Sequence, residues 1–223
     1  MDKISIVSKK DYNKVREIWE KVFTNDNSYL DYIFNGIMPK GIILAYKQDN
    51  DFVSCLTIIP INFIDNTSAQ PSPIKGIYLY GVATVQEQRA KGISSKLLDY
   101  AINYCKNLNY KFIIGVPKND SLFDYFYKLR GFLRLGECKQ ITKLDKTIQT
   151  DATNIYSYLN SFKHPRIFLF SKDIIEQNIV MGEIDNYISD NPPEICKIEP
   201  MILPLNGSTM STFKDSEFIF PMG

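Results

Sequence analysis

The stretch Tyr80-Gly81-Val82-Ala83-Thr84-Val85-Gln86-Glu87-Gln88-Arg89-Ala90-Lys91-Gly92-Ile93-Ser94-Ser95 holds most of the chemistry that can be read from residue types and spacing. A β-type run gives way there to the strongest helical pattern in the chain, and the turn between them carries Arg89, Lys91 and Gly92. A helix opens with N–H groups that lack intrahelical acceptors and with the positive end of its dipole, so such a turn suits a phosphate. Gly92 permits close backbone approach, while Ser94 and Ser95 add hydroxyl donors. The spacing is neither G-x-x-x-x-G-K-[ST] nor G-x-G-x-x-G, so nucleotide-kinase and dinucleotide-binding readings lack support. A solvated turn with two incidental cations accounts for the same residues equally well. Elsewhere the reactive residues are sparse. Cys55, Cys105, Cys138 and Cys196 are far apart without a C-x-x-C pair, and His164 is the only histidine, so no zinc set is expected. The cysteines read as reduced core residues of a cytoplasmic protein, and His164, in Phe162-Lys163-His164-Pro165, reads as a turn residue.

The elements that must position that turn follow from periodicity. Ile4 to Val7 reads as a strand, and Asp11 is placed to cap a helix running to about Phe23, with Val15, Ile18, Trp19 and Val22 on one face. A second helix is expected from about Ser28 to Ile37. Gly41–Tyr46 and Phe52–Phe63 are apolar runs joined by Gln48-Asp49-Asn50-Asp51, which predicts an antiparallel hairpin. Asn66–Pro73 reads as a loop, and Gly76–Val85 as a central strand buried on both faces. Gly92–Leu108 is a helix with Ile93, Leu97, Leu98, Ala101, Ile102 and Cys105 as its apolar stripe. Lys111–Val116 then reads as a strand, Ser121–Leu129 as a helix ended by Gly131, and Phe132–Leu144 as one or two strands. Further on, helices are expected over Asn154–Phe162 and from Ser171 to about Ile188. Apolar extended runs are expected at Arg166–Phe170, at Ile195–Leu205 with breaks at Pro200 and Pro204, and at Phe218–Pro221.

Composition bounds these readings. With 223 residues, 44% hydrophobic and 23% charged, the chain is globular rather than disordered. The net charge of +1 gives no overall basic footprint, which argues against a nucleic-acid partner. The near-neutrality is a cancellation: Lys75–Lys143 carries a local +7 and Asp151–Gly223 a local −5. Neither the N-terminus nor the run Cys55–Ile64, broken by Pro60, has the length of a targeting or membrane-spanning segment. Abundant Lys, Asn, Ile and Tyr suit an AT-rich bacterial genome.

On these residues the sequence resembles the GNAT superfamily of acyl-CoA-dependent N-acetyltransferases. That family's pyrophosphate loop follows [QR]-x-x-G-x-[GA], and Arg89-Ala90-Lys91-Gly92-Ile93-Ser94 departs from it only at Ser94. Asn119 ahead of Phe126-Tyr127-Lys128-Leu129-Arg130-Gly131-Phe132 is similar to the second signature, an Asn before a helix ending F-Y-x-x-x-G-F. The resemblance covers roughly residues 1–143. It implies a mixed α/β fold with a central, mostly antiparallel twisted sheet flanked by helices. Residues 144–223 are then a small α+β extension packed on that core and forming part of the acceptor side.

The resemblance also implies roles. Acetyl-CoA is the expected co-substrate. Backbone groups of Val82, Ala83 and Thr84 would pair with its pantetheine arm, and its pyrophosphate would sit on the N–H groups of Arg89, Ala90, Lys91, Gly92, Ile93 and Ser94. Tyr127 aligns with the tyrosine that protonates the leaving thiolate, and Asn119 orders its loop or contacts the pantetheine. Ser94 is small enough to fit and offers a donor to a phosphate oxygen. No general base is assigned: Ile77–Val82 contains no carboxylate, Glu87 lies in the turn, and His164 and the terminal carboxylate of Gly223 are the remaining candidates. The expected acceptor is a small-molecule or peptide amine, with neither nucleic acid nor membrane as partner, no metal, and monomer or homodimer both open. The acidic C-terminal part suits a cationic acceptor. Two other readings stand beside this one: a non-catalytic acyl-CoA-binding or regulatory module on the same fold, and an interaction domain without a ligand.

Overall fold

The structure, a computed structural model, describes residues 3–23, 27–70, 72–141, 144–145, 166–170, 188–189 and 195–219. It is a mixed α/β fold built on a mostly antiparallel sheet flanked by helices. The chain forms two compact units, Met1–Ile59 with Tyr78–Asn109, and Pro60–Ile77 with Tyr110–Gly223. The long strands β3 (Asp51–Asp65) and β4 (Ile74–Thr84) contribute residues to both.

In the first unit, β1 (Lys3–Ile6) pairs antiparallel with β2 (Ile42–Gln48), and β2 pairs antiparallel with β3 from Ile42↔Ile58 to Gln48↔Asp51. The hairpin closes at Asp49 and Asn50, both at positive φ (45° and 77°), where short polar side chains tolerate the left-handed region. Helix α1 (Tyr12–Phe23) buries Val15, Ile18 and Trp19. Asp11 does not cap it: a 3-10 turn, Lys9–Asp11, precedes the helix, and the Ser8 hydroxyl donates to Asp11 Oδ2 at 2.8 Å. The extra turn moves the cap position back to Ser8, a shift that apolar spacing does not encode. Helix α2 (Asn27–Tyr32) continues through a π-turn, Ile33–Ile37, and a 3-10 turn, Met38–Lys40. Helix α3 (Ile93–Asn107) buries Ile93, Leu97, Leu98, Ala101, Ile102 and Cys105, and Ile93 packs with Tyr46 and Val53. That stripe is the one read from the sequence.

In the second unit, β5 (Phe112–Gly115) lies beside β4, with the Lys111 N–H donating to the Lys75 carbonyl at 2.9 Å. Helix α4 (Asp120–Leu122) is prolonged by a π-turn, Phe123–Tyr127, and a 3-10 turn, Lys128–Arg130, and leads to β6 (Leu133–Arg134) and β7 (Cys138–Ile141). Later strands join by edge-to-edge pairing. β9 (Arg166–Phe170) runs antiparallel to Ile61–Asp65 of β3, and β12 (Met201–Pro204) pairs antiparallel with both β5 and β6, between them. β11 (Ile195–Ile198) pairs antiparallel with β7, and β13 (Glu217–Ile219) parallel with β7 and β9. Two short strands, β8 (Leu144–Asp145) and β10 (Ile188–Ser189), form a separate parallel pair. The core centres on Phe63, Phe112, Phe168 and Phe213, all fully buried, with ring centroids 5.0–6.1 Å apart.

The expected helix at Asn154–Phe162 lies outside the described residues, as do residues 171–187 of the helix expected to reach Ile188, which itself lies in β10. His164 and Gly223 are outside them too. Cys55, Cys105 and Cys138 are buried, and Cys196 is partly so. Among the described residues, no helix is long and apolar enough to cross a membrane.

Candidate active site

In the first unit, the end of β4 and the start of α3 bring nine of the expected site residues onto one continuous stretch. Gly81 sits at φ +59° within β4, and Trp19 of α1 fills the space where a side chain would be. Val82 is half-buried, while Ala83 and Thr84 are buried. A 3-10 turn, Gln86–Gln88, then leads to the basic residues. Arg89 lays its Nε on the Thr84 carbonyl at 3.1 Å, and Lys91 Nζ donates to Gln88 Oε1 at 3.0 Å. Both cations are thereby held over the turn.

The backbone of this turn alternates in hand. Ala90 (φ +61°) and Gly92 (φ +73°) are both left-handed, a sequence of conformations that directs successive N–H groups into one concavity. The first helical bond runs from Lys96 N to Gly92 O at 3.0 Å, and no side chain caps the helix. The N–H groups of Ile93, Ser94 and Ser95 are therefore left over, aimed outward at the positive end of a fifteen-residue helix. This arrangement can hold an anion.

The Ser94 hydroxyl is engaged inward, 2.6 Å from Thr84 Oγ1, so the interaction this side chain makes is with the strand. Gly92 is required by its backbone angle and not by crowding, since a Cβ there would meet nothing within 4 Å. We expect Gly92→Ala to cost roughly 1–2 kcal/mol, a fall of about 2–8 °C in melting temperature, measurable by thermal denaturation.

The other two expected residues, Asn119 and Tyr127, belong to the second unit. Asn119 is the N-cap of α4: its Oδ1 accepts from the Leu122 N–H at 2.8 Å. Arg134 braces the same helix start, with its guanidinium over the Phe123 ring at 4.1 Å and a bond to Asp120. Tyr127 closes the π-turn, an insertion that rotates it relative to a regular helix. Its ring is buried, edge-on to Phe132 at 5.5 Å, and Gly131 at φ +84° ends the helix behind it. Tyr127 as a whole is 5% exposed. Burial pushes its pKa up to about 12, which keeps it a proton donor at neutral pH.

Glu87 is exposed in the 3-10 turn, and β4 carries no carboxylate from Ile77 to Val82. Among the described residues, no group of three or more His, Cys, Asp or Glu could hold a metal ion. Sequence reasoning missed three features: the left-handed Gly81 within β4, the π-turn that ends at Tyr127, and Ser54, which bonds to both Ala83 and Thr84. Only the first had a local signal, a glycine inside a β-type run.

A strand end followed by an uncapped, cation-flanked helix start marks a class of anion-binding α/β proteins. The family model for the acetyltransferase (GNAT) domain matches residues 3–132, more than half the chain, and the protein belongs to that family. Among solved structures, the chain is similar to a conserved protein of unknown function from Enterococcus faecalis described as a probable N-acyltransferase. That match has 8% identity and a TM-score of 0.60, and covers 92% of this chain and 73% of the other. It is also similar to the ribosomal-protein-S18-alanine N-acetyltransferase from Escherichia coli, at 10% identity and a TM-score of 0.55, over 94% and 97% of the two chains. At these identities the likeness is one of fold. No curated protein matches the sequence. Membership of the family makes the protein an acyltransferase with acetyl-CoA as co-substrate.

Proposed function

We propose that the protein transfers the acetyl group of acetyl-CoA to a primary amine by direct attack in a ternary complex. The observation that carries this reading is the uncapped start of α3 behind Arg89 and Lys91, in a chain that belongs to the acetyltransferase family. In this reading the pyrophosphate lies on the N–H groups from Arg89 to Ser94, and the pantetheine runs along Val82, Ala83 and Thr84. Asn119 supports the coenzyme by ordering the start of α4. The amine nitrogen attacks the thioester carbon, the C–N bond forms, and the C–S bond breaks. The sulfur leaves as a thiolate and takes the Tyr127 proton, while the proton of the amine passes to water. Residues 144–223 contribute to the acceptor side of the acetyltransferase core, and their local −5 charge favours a cationic amine. The proposed location is a bacterial cytoplasm, in keeping with cysteines scattered along the chain without a C-x-x-C pair.

The test has two parts. Acetyl-CoA at 100 times its Kd should raise the melting temperature by about 5–10 °C. Thiol release should then appear over a panel of primary amines. The lack of a carboxylate on Ile77–Val82 favours a second reading, a non-catalytic acyl-CoA-binding module. Stabilisation without thiol release from any amine would select it, and no stabilisation would overturn both.

A further inference from the structure

Three hydroxyls stand in file from β3 to α3. Ser54 Oγ donates to the Ala83 carbonyl at 2.8 Å and lies 2.8 Å from Thr84 Oγ1, which in turn lies 2.6 Å from Ser94 Oγ. Each hydroxyl has one hydrogen and two lone pairs, and a carbonyl only accepts. The Ser54 hydrogen is spent on Ala83, so Thr84 donates to Ser54, and Ser94 donates to Thr84. The file has one polarity, and it is set at its buried end.

Two consequences reach the proposed coenzyme site. The hydrogen of Ser94 points away from the turn, so toward a ligand its side chain offers only lone pairs, and the donors available there are backbone N–H groups. The end of β4 is also fastened to the first turn of α3 through side chains alone. Ser54 is fully buried and Thr84 nearly so, at 0% and 7% exposure, so a hydroxyl that loses its partner has little access to solvent as a replacement.

We propose that Ser54 is a positioning residue for coenzyme binding: from the neighbouring strand β3, acting through Thr84 and Ser94, it orients the N-terminal turn of α3. This rests on the placement of the acetyl-CoA pyrophosphate on that turn.

Coenzyme A itself is the probe, with binding to the full chain measured by calorimetry. Ser54→Ala should raise its Kd about five- to tenfold. It should raise the KM for acetyl-CoA by the same factor, with kcat at saturating acetyl-CoA changed less than twofold. Ser54→Thr, which keeps the hydroxyl, should recover at least half of the loss on a logarithmic scale. Ser94→Ala breaks the file at its half-buried end, where folding is not at stake, and should weaken binding similarly. The double variant should bind no more than twofold more weakly than either single one, because both act through one file. An unchanged Kd in Ser54→Ala or Ser94→Ala, or additive effects in the double variant, would overturn the role. Arg89→Ala and Gly92→Ala separate the two levels. If they weaken binding and the serine variants do not, the coenzyme placement stands and the role of Ser54 falls. If neither of them matters, both fall.

Discussion

Gly81→Ala is expected to lower the melting temperature by about 4–20 °C, through two costs that act together. The first is backbone strain. Gly81 holds φ at +59°, where an L side chain crowds the following carbonyl, at roughly 1–2 kcal/mol. The second is overlap. An added Cβ would stand 2.0 Å from Trp19 Cζ2 and 2.8 Å from its Cε2. Trp19 has no easy retreat: it is 2% exposed and packed against Phe23 (4.8 Å), Tyr80 (5.5 Å) and Phe34 (5.7 Å), measured between ring centroids. Overpacking of this kind costs roughly 1–3 kcal/mol. The sum, about 2–5 kcal/mol, converts to the stated shift for a chain of this size. Thermal denaturation checks it, and a shift below 2 °C would show that Gly81 and Trp19 are not held as described. Adding Trp19→Phe to the Gly81→Ala variant removes the overlapping ring edge but not the strain. The double variant should therefore lose less stability than the sum of the two single effects.

Tyr127→Phe is expected to lower kcat about 10²-fold while leaving the KM for acetyl-CoA within twofold. The ring contributes packing against Phe132, and phenylalanine keeps it. What is removed is one hydroxyl, and with it the proton proposed for the departing thiolate. General acid catalysis spans 10²- to 10⁴-fold, and a thiolate is a good enough leaving group to place the effect at the lower end. The pH dependence is a second check. Burial holds the Tyr127 phenol near 12, above its ordinary value of 10.0, so the neutral form is favoured by folding. Its contribution to stability is complete below pH 10 and is lost as pH rises from there through about 12. Below pH 10 the group stays protonated, so no fall in rate in that range should trace to Tyr127. Unchanged turnover in Tyr127→Phe, under conditions where chemistry limits the rate, would remove it from the mechanism.

What the sequence disclosed is what depends on neighbours along the chain. The six buried positions of α3, from Ile93 to Cys105, follow from a 3.6-residue period, and the Asp49–Asn50 hairpin follows from residues that accept positive φ. Arg89, Lys91 and Gly92 were visible because a helix start and its flanking charges are contiguous. Distant contacts were not visible. Nothing near Ser54 announces that its hydroxyl meets Thr84, and a lone serine in an apolar strand has no distinguishing signal. The slot that β12 occupies is set by ladder pairing with Gly115–Phe112 and with Leu133 and Arg134, far upstream. The π-turn that ends at Tyr127 adds one residue to a helical register without any proline or glycine to mark it.

The place of β12 bears on how a gene for such a chain can be divided. The portion that carries the family's signature stops at residue 132, yet its strand β5 has β12 for a neighbour, and Phe63 and Phe112 meet Phe168 and Phe213 from later in the chain. A product ending at the signature would leave β5 with a raw edge and two phenylalanines facing empty space, a surface that invites other chains to pair with it. Front and back of this reading frame must therefore be inherited together, and a recombination event that kept only the recognisable half would deliver an aggregate.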